Sequence, residues 1–190
     1  MVTFVGEGND ERETLLMFVA EQRDAVIRAA FGLTDEQAAA RPTKSELSVA
    51  GLIKHCTEVE RQWIVGILSG RPQDLVARDE SNWHDSFRMV GDETLADLVS
   101  AYRAAGQETE ELVRALPDLE VAVALPDLPW FPPGAKRSAR WILAHLIQET
   151  GRHAGHADIL RESLDGGTSF ALIAAERQAR EADGRGTAAS

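Results

Sequence analysis

Four long stretches of this chain carry apolar residues at the three-to-four-residue spacing of an amphipathic helix, and almost nothing in it alternates as a strand does. That periodicity limits the fold more than any other feature. The first stretch runs from about Asp10 to Ala30, with Leu15, Leu16, Val19, Val26, Ile27 and Ala30 on one face. Gly32 ends it, and Thr34-Asp35-Glu36-Gln37 reads as a capping box that opens a short helical turn, closed by Arg41-Pro42. A second stretch starts at a Ser48 cap and continues to about Leu68, with Val49, Leu52, Cys56, Val59, Trp63 and Ile67 aligned, until Ser69-Gly70-Arg71-Pro72 stops it. The third spans about Asp92 to Leu116, and Gly106 weakens its middle only slightly. The fourth starts at a Ser138 cap and reaches about Leu164, before Asp165-Gly166-Gly167.

Two longer segments separate the last three helices. A polar connection holds Trp83, His84 and Phe87; Pro117 to Lys136 is a proline-rich loop centred on Trp130 and Phe131. Val121 to Leu125 is the one strand-like run, and no partner strand stands out. The expected architecture is all-α, a four-helix bundle whose long connections leave room for crossovers. Residues 1–168 form this domain, and 169–190 a C-terminal tail, part helical and part frayed.

The fourth helix carries polar side chains where its buried seam should be. At about 100° per residue, Ile142 and Leu160 share one azimuth, with Glu149 and His153 about 20° to either side. A carboxylate there is costly unless something neutralises or solvates it. Glu149 and His153 are four residues apart, so both reach one point from successive turns. His55, beside Leu52 and Val59 at the edge of the second helix's apolar face, is the best third donor. Two imidazoles and a carboxylate leave positions open for water or substrate, the pattern of a catalytic divalent ion rather than a closed structural one. Zinc fits that donor set, and nickel, iron and manganese stay open. The competing reading is an ordinary one: a core histidine with a hydrogen bond, and an i,i+4 ion pair. His145 and His156 lie farther from the seam and read as alternative ligands, supporting groups or cavity-lining groups, with Arg152 and Arg140 as partners of a substrate carboxylate or of Glu149, or simple surface pairs. Glu58 and Glu60 are candidate hydrogen-bond acceptors beside the site, or solvated charges. Trp83, Trp130 and Phe131 are candidates for a pocket wall or for a hydrophobic plug. Cys56 points about 100° away from His55 and reads as core packing.

Composition narrows the partners. A net charge of −11 opposes nucleic-acid and anionic-membrane surfaces, although it leaves a small anionic substrate open. One cysteine excludes an intrachain disulfide framework and suits a reducing cytoplasm. The N-terminal residues lack the basic-then-apolar pattern of a secretory signal, and no run approaches the ~20 apolar residues of a membrane span. A cytoplasmic protein without a membrane role is expected.

The fourth-helix stretch RWILAHLIQETGRHAGHADILRE and the second-helix stretch LIKHCTEVERQWI together resemble the DinB/YfiT-like superfamily of metal-binding four-helix bundles. The likeness extends over about Glu11 to Leu164, and it is strongest to the branch that includes mycothiol-dependent maleylpyruvate isomerase and the mycothiol S-transferases. That resemblance implies a metal held by His55, Glu149 and His153; many other superfamily members place a histidine where this chain has Glu149. The isomerase has a further C-terminal domain that this sequence lacks, so maleylpyruvate isomerisation itself is not expected. The implied function is a zinc-dependent S-transferase that activates a low-molecular-weight thiol, such as mycothiol, for attack on an electrophile. A hydrolase using the same ion to activate water, or a non-enzymatic stress-response or ligand-binding bundle, remain open, and the superfamily suggests a homodimer.

Overall fold

The computed structural model describes residues 5–129 and 131–187, the side chains of 183–187 excepted. Six α-helices are present in this range: α1 (Glu11–Arg28), α2 (Asp35–Ala39), α3 (Val49–Arg61), α4 (Leu95–Arg114), α5 (Ala139–Asp165) and α6 (Ser169–Thr187). The start signals act as their chemistry dictates. Asp10, Thr34, Ser48, Thr94 and Ser138 each accept a hydrogen bond from a backbone N–H in the first turn that follows. Thr34 and Gln37 complete the reciprocal capping box. Gly166, at φ 78°, ends α5 in the left-handed conformation that glycine tolerates best.

α1, α3, α4 and α5 form the bundle. α1 lies chiefly along α5 and α3 along α4, with α3–α5 and α1–α4 contacts joining the two pairs. α6 packs on α1, where Leu172 is buried and Arg28 pairs with Glu176 at 3.2 Å. Arg161 of α5 donates to the carbonyls of Ala29 and Phe31, satisfying acceptors at the end of α1.

Two features depart from the periodicity. First, α3 does not continue as an α-helix to Leu68: residues Gln62–Leu68 form a π-helical turn. The wider turn buries Ile64, Val65 and Leu68 beside Trp63, while Ile67 is only partly buried against the same cluster. Second, the strand-like run does find a partner. β1 (Ala122–Ala124) pairs antiparallel with β2 (Lys136–Ser138), in the register Val123 opposite Arg137. The 117–136 segment is therefore closed at its base, and Leu125 N–H donating to Ala135 extends the closure.

The core is built as two apolar blocks. One gathers Val26, Leu52, Ile53, Cys56, Tyr102 and Leu160; the other gathers Leu16, Val19, Ile64, Val113, Ile142 and Leu146. Between them runs a polar layer. Arg23 of α1 donates to both carboxylate oxygens of Glu60 on α3, at 2.7 and 3.2 Å, and the Thr109 hydroxyl of α4 adds a third bond at 2.6 Å. Glu60 is 1% exposed and bonded to Arg23 and Thr109, so it is not a solvated charge. Gly106 explains itself here: a Cβ at that position would lie 2.4 Å from the Arg23 guanidinium carbon. The mid-helix glycine makes room for the buried cation.

Removing one member of a buried pair strands the other charge, at a cost of about 3–5 kcal/mol. Glu60→Ala should therefore lower the free energy of unfolding by that order, read from urea denaturation, with Thr109→Val costing less.

Candidate metal centre

The site forms where α3 meets α5, on the level of the polar layer. His55 projects from α3, and Glu149 and His153 from successive turns of α5. Glu149 Oε1 lies 3.2 Å from His153 Nε2 and 3.9 Å from His55 Nε2. One ligand atom from each of the three residues falls within 4.8 Å of the others. Bonds of about 2.0–2.1 Å in a tetrahedron put donor atoms roughly 3.3 Å apart, so small adjustments would let one ion touch all three. The two imidazoles meet edge to face, with centroids 4.8 Å apart and planes at 79°. Neither ring blocks the other's donor.

Burial sets the protonation states. It pushes the His55 pKa down to about 4, with the neighbouring His153 adding to the effect and Glu149 opposing it. His153 is lowered too, first by burial, with Glu149 again opposing. Both rings are therefore neutral at physiological pH and keep a lone pair to donate. Glu149 has no guanidinium or ammonium partner among the described residues; its ion-pair neighbours are these two histidines. Its side chain is 25% exposed, so the cluster is open on the carboxylate side. Two neutral nitrogens and an unneutralised carboxylate suit a divalent cation.

The other residues singled out in the sequence, Trp130 excepted, have definite places. His145 sits one turn before Glu149 but stacks on Trp141 (centroids 5.1 Å, planes at 9°) and meets Trp63 edge-on at 4.7 Å. It belongs to an aromatic wall beside the triad, continued by Phe131 against Trp63. Arg137 lies over Trp141 at 4.8 Å. His156 packs edge-on against His153, and the Nδ1 atoms of both are buried without a hydrogen-bond partner. Arg152 is exposed, and its charge disfavours protonation of His153. Arg140 makes surface ion pairs with Glu11 and Glu120. Glu58 is taken up by Arg78, whose Nε donates to it at 2.9 Å. Trp83 is 55% exposed, so it points to solvent rather than walling the site. Trp130 lies outside the described residues.

One contact the sequence did not reveal is Phe87, whose ring stacks on His55 with centroids 4.0 Å apart and planes at 21°. Its only sequence signal is an aromatic residue in a polar connection, which says nothing about where that connection folds. A separate open cavity of about 830 Å³ lies between the end of α1, α4 and α6, lined in part by Ile27, Phe31, Val99 and Arg103. None of the triad borders it, so volume alone is a poor guide to the chemistry here.

Fold and site together define a four-helix bundle with a candidate His–Glu–His metal centre between two of its helices. The family model for mycothiol S-transferase matches residues 14–166, and the chain belongs to that family. No curated protein matches it. Among solved structures, it is similar to a crystal structure described as the conserved protein of locus from Enterococcus faecalis. That match has a TM-score of 0.66 and 15% sequence identity, and covers 84% of this chain and 100% of the other. At such identity the likeness shows the shared fold. No helix among the described residues is long and apolar enough to cross a membrane.

Cys56, though adjacent to His55 in sequence, is 3% exposed, and burial pushes its thiol up to about 12. A raised pKa keeps the thiol protonated throughout the neutral range, so the reactive thiolate is missing there. Iodoacetamide at pH 8 should leave Cys56 unmodified in the native protein and alkylate it fully in urea, as followed by mass spectrometry.

Proposed function

We propose that this protein is a divalent-metal-dependent thiol S-transferase, with His55, Glu149 and His153 holding the ion. The observation that carries the reading is the state of Glu149. Glu60, fully buried, has a guanidinium and a hydroxyl. Glu149 has only imidazoles that burial keeps neutral. A divalent cation would complete the cluster, and membership of the mycothiol S-transferase family supports a thiol as its substrate. Zinc suits two nitrogens and one oxygen with room left for a soft sulfur.

A bound divalent cation supplies Lewis acidity, lowering a thiol's pKa so that the thiolate is populated near neutral pH. The chain's own residues do the rest. Glu149 contributes negative charge that offsets the ion's, and its exposed side is the route by which a ligand enters. His55 and His153, the more buried of the three, would hold the ion from the side away from solvent. Trp63, Trp141 and His145 form an apolar wall along the same face of α5, which excludes water from one flank of the reacting groups. Because Cys56 is buried and protonated, the nucleophilic sulfur comes from a low-molecular-weight thiol such as mycothiol rather than from the protein. Overall, a carbon–sulfur bond forms at the electrophile, the thiol proton is released, and any leaving group departs with its electron pair.

The test is loss of monochlorobimane with mycothiol as co-substrate, in protein loaded with zinc. Turnover should require the thiol. His153→Ala and Glu149→Ala should each reduce it by more than the roughly 10–100-fold that losing a mere supporting partner costs, with helicity by circular dichroism retained. Equal turnover by wild type and both variants would refute the reading; hydrolysis without thiol would favour activation of water at the same site.

A further inference from the structure

The connection between α3 and α4 is not a loose crossover; it folds back over α3 and is tied there along its length. Arg61 donates to the Asp74 carbonyl, Arg78 pairs with Glu58, and Lys54 binds Glu93 at 2.7 and 2.8 Å and the Arg88 carbonyl at 3.3 Å. At its closest approach the connection touches the backbone of α3 itself. A Cβ on Gly51 would lie 1.9 Å from the Phe87 carbonyl oxygen and 2.6 Å from its carbon. Those are backbone atoms, so the clash has no cheap relief, and only glycine at this position lets the short 3₁₀ turn Trp83–Phe87 dock. Ser86, 5% exposed and bonded to the Trp83 carbonyl at 2.8 Å, tightens that turn.

Gly51 precedes His55 by four residues, so the docking point and the imidazole share one face of α3 on successive turns. The consequence is the 4.0 Å stack of Phe87 on His55. A metal-binding histidine is ordinarily oriented by a hydrogen bond to its second ring nitrogen. Among the described residues no protein group bonds the other ring nitrogen of His55; besides Glu149, its ring is held by stacking on Phe87 on one side and by the edge contact with His153.

We infer that Phe87, seated by Gly51, is a positioning residue that fixes the His55 ring toward Glu149 and His153 before any ion arrives; this rests on the metal-site reading above. The torsion that turns an imidazole about its Cβ–Cγ bond is broad, so an unstacked ring would sample orientations that aim its donor elsewhere. Restricting it during folding removes that ordering cost from ion binding.

The experiment compares wild type, Phe87→Ala, Phe87→Tyr and Gly51→Ala. In metal-free protein, the imidazole protons of His55 should be shifted by the Phe87 ring current relative to those of exposed His84. That shift should vanish in Phe87→Ala and persist in Phe87→Tyr. In cobalt(II) titrations, Phe87→Ala should bind about 10–100-fold more weakly with an altered visible spectrum, and Phe87→Tyr should recover most of the loss. Gly51→Ala should match Phe87→Ala if it folds, and the two Phe87 variants decide the matter if it does not. Unmoved His55 resonances in Phe87→Ala, or unchanged cobalt affinity and spectrum, would overturn the inference. A wild-type protein that binds no cobalt would instead overturn the metal reading beneath it, while the ring shifts would still decide whether Phe87 seats His55.

Discussion

The bundle depends on how it handles polar groups at mid-height, where two apolar blocks meet. A buried carboxylate is tolerable only with full compensation. Glu60 receives it from Arg23 and Thr109, each on a different helix, so one carboxylate ties α1, α3 and α4 together. Glu149 on α5 is partly exposed, and its hydrogen-bond partner is the His153 ring, at 3.2 Å. Its neighbours are imidazoles whose protonation burial opposes. The contrast between these carboxylates separates a closed structural layer from an open cluster of three potential metal donors.

The connections are shaped by that site as much as by the need to join helices. Residues 69–94 lie along α3 and place an aromatic ring on His55. Residues 117–138 close through β1 and β2 and bring Phe131 and Arg137 to the aromatic wall of Trp63, Trp141 and His145. The π-helical turn after Arg61 is part of the same construction, since it sets the register in which Trp63 meets His145. The candidate site is assembled from helices, with the irregular segments folded onto them.

Much of this was legible in the sequence because it is governed locally. The caps at Ser48 and Ser138, the box at Thr34 and the apolar stripes follow from hydrogen-bonding chemistry and helical period. The same period put Glu149 and His153 on the inner face of α5, and His55 facing them from α3. The illegible parts all turn on contacts distant in sequence. Arg23 and Glu60 look like surface charges until they are seen to satisfy each other across the bundle. Nothing local distinguishes Phe87 from Trp83, yet one stacks on His55 while the other meets solvent. The strand partner of Val121–Leu125 is Lys136-Arg137-Ser138, a segment with no apolar alternation to mark it. The π turn shifts register by packing around Trp63 rather than by any recognisable motif.

The central claim is that Glu149 lacks a protein cation because a metal ion fills that role. Metal content of untagged protein, measured by plasma mass spectrometry beside a Glu149→Ala variant, addresses it most directly. The account predicts about one zinc or similar divalent ion per chain in the wild type, and none in the variant. A wild-type protein free of metal even after reconstitution, or a variant that keeps its full complement, would contradict it.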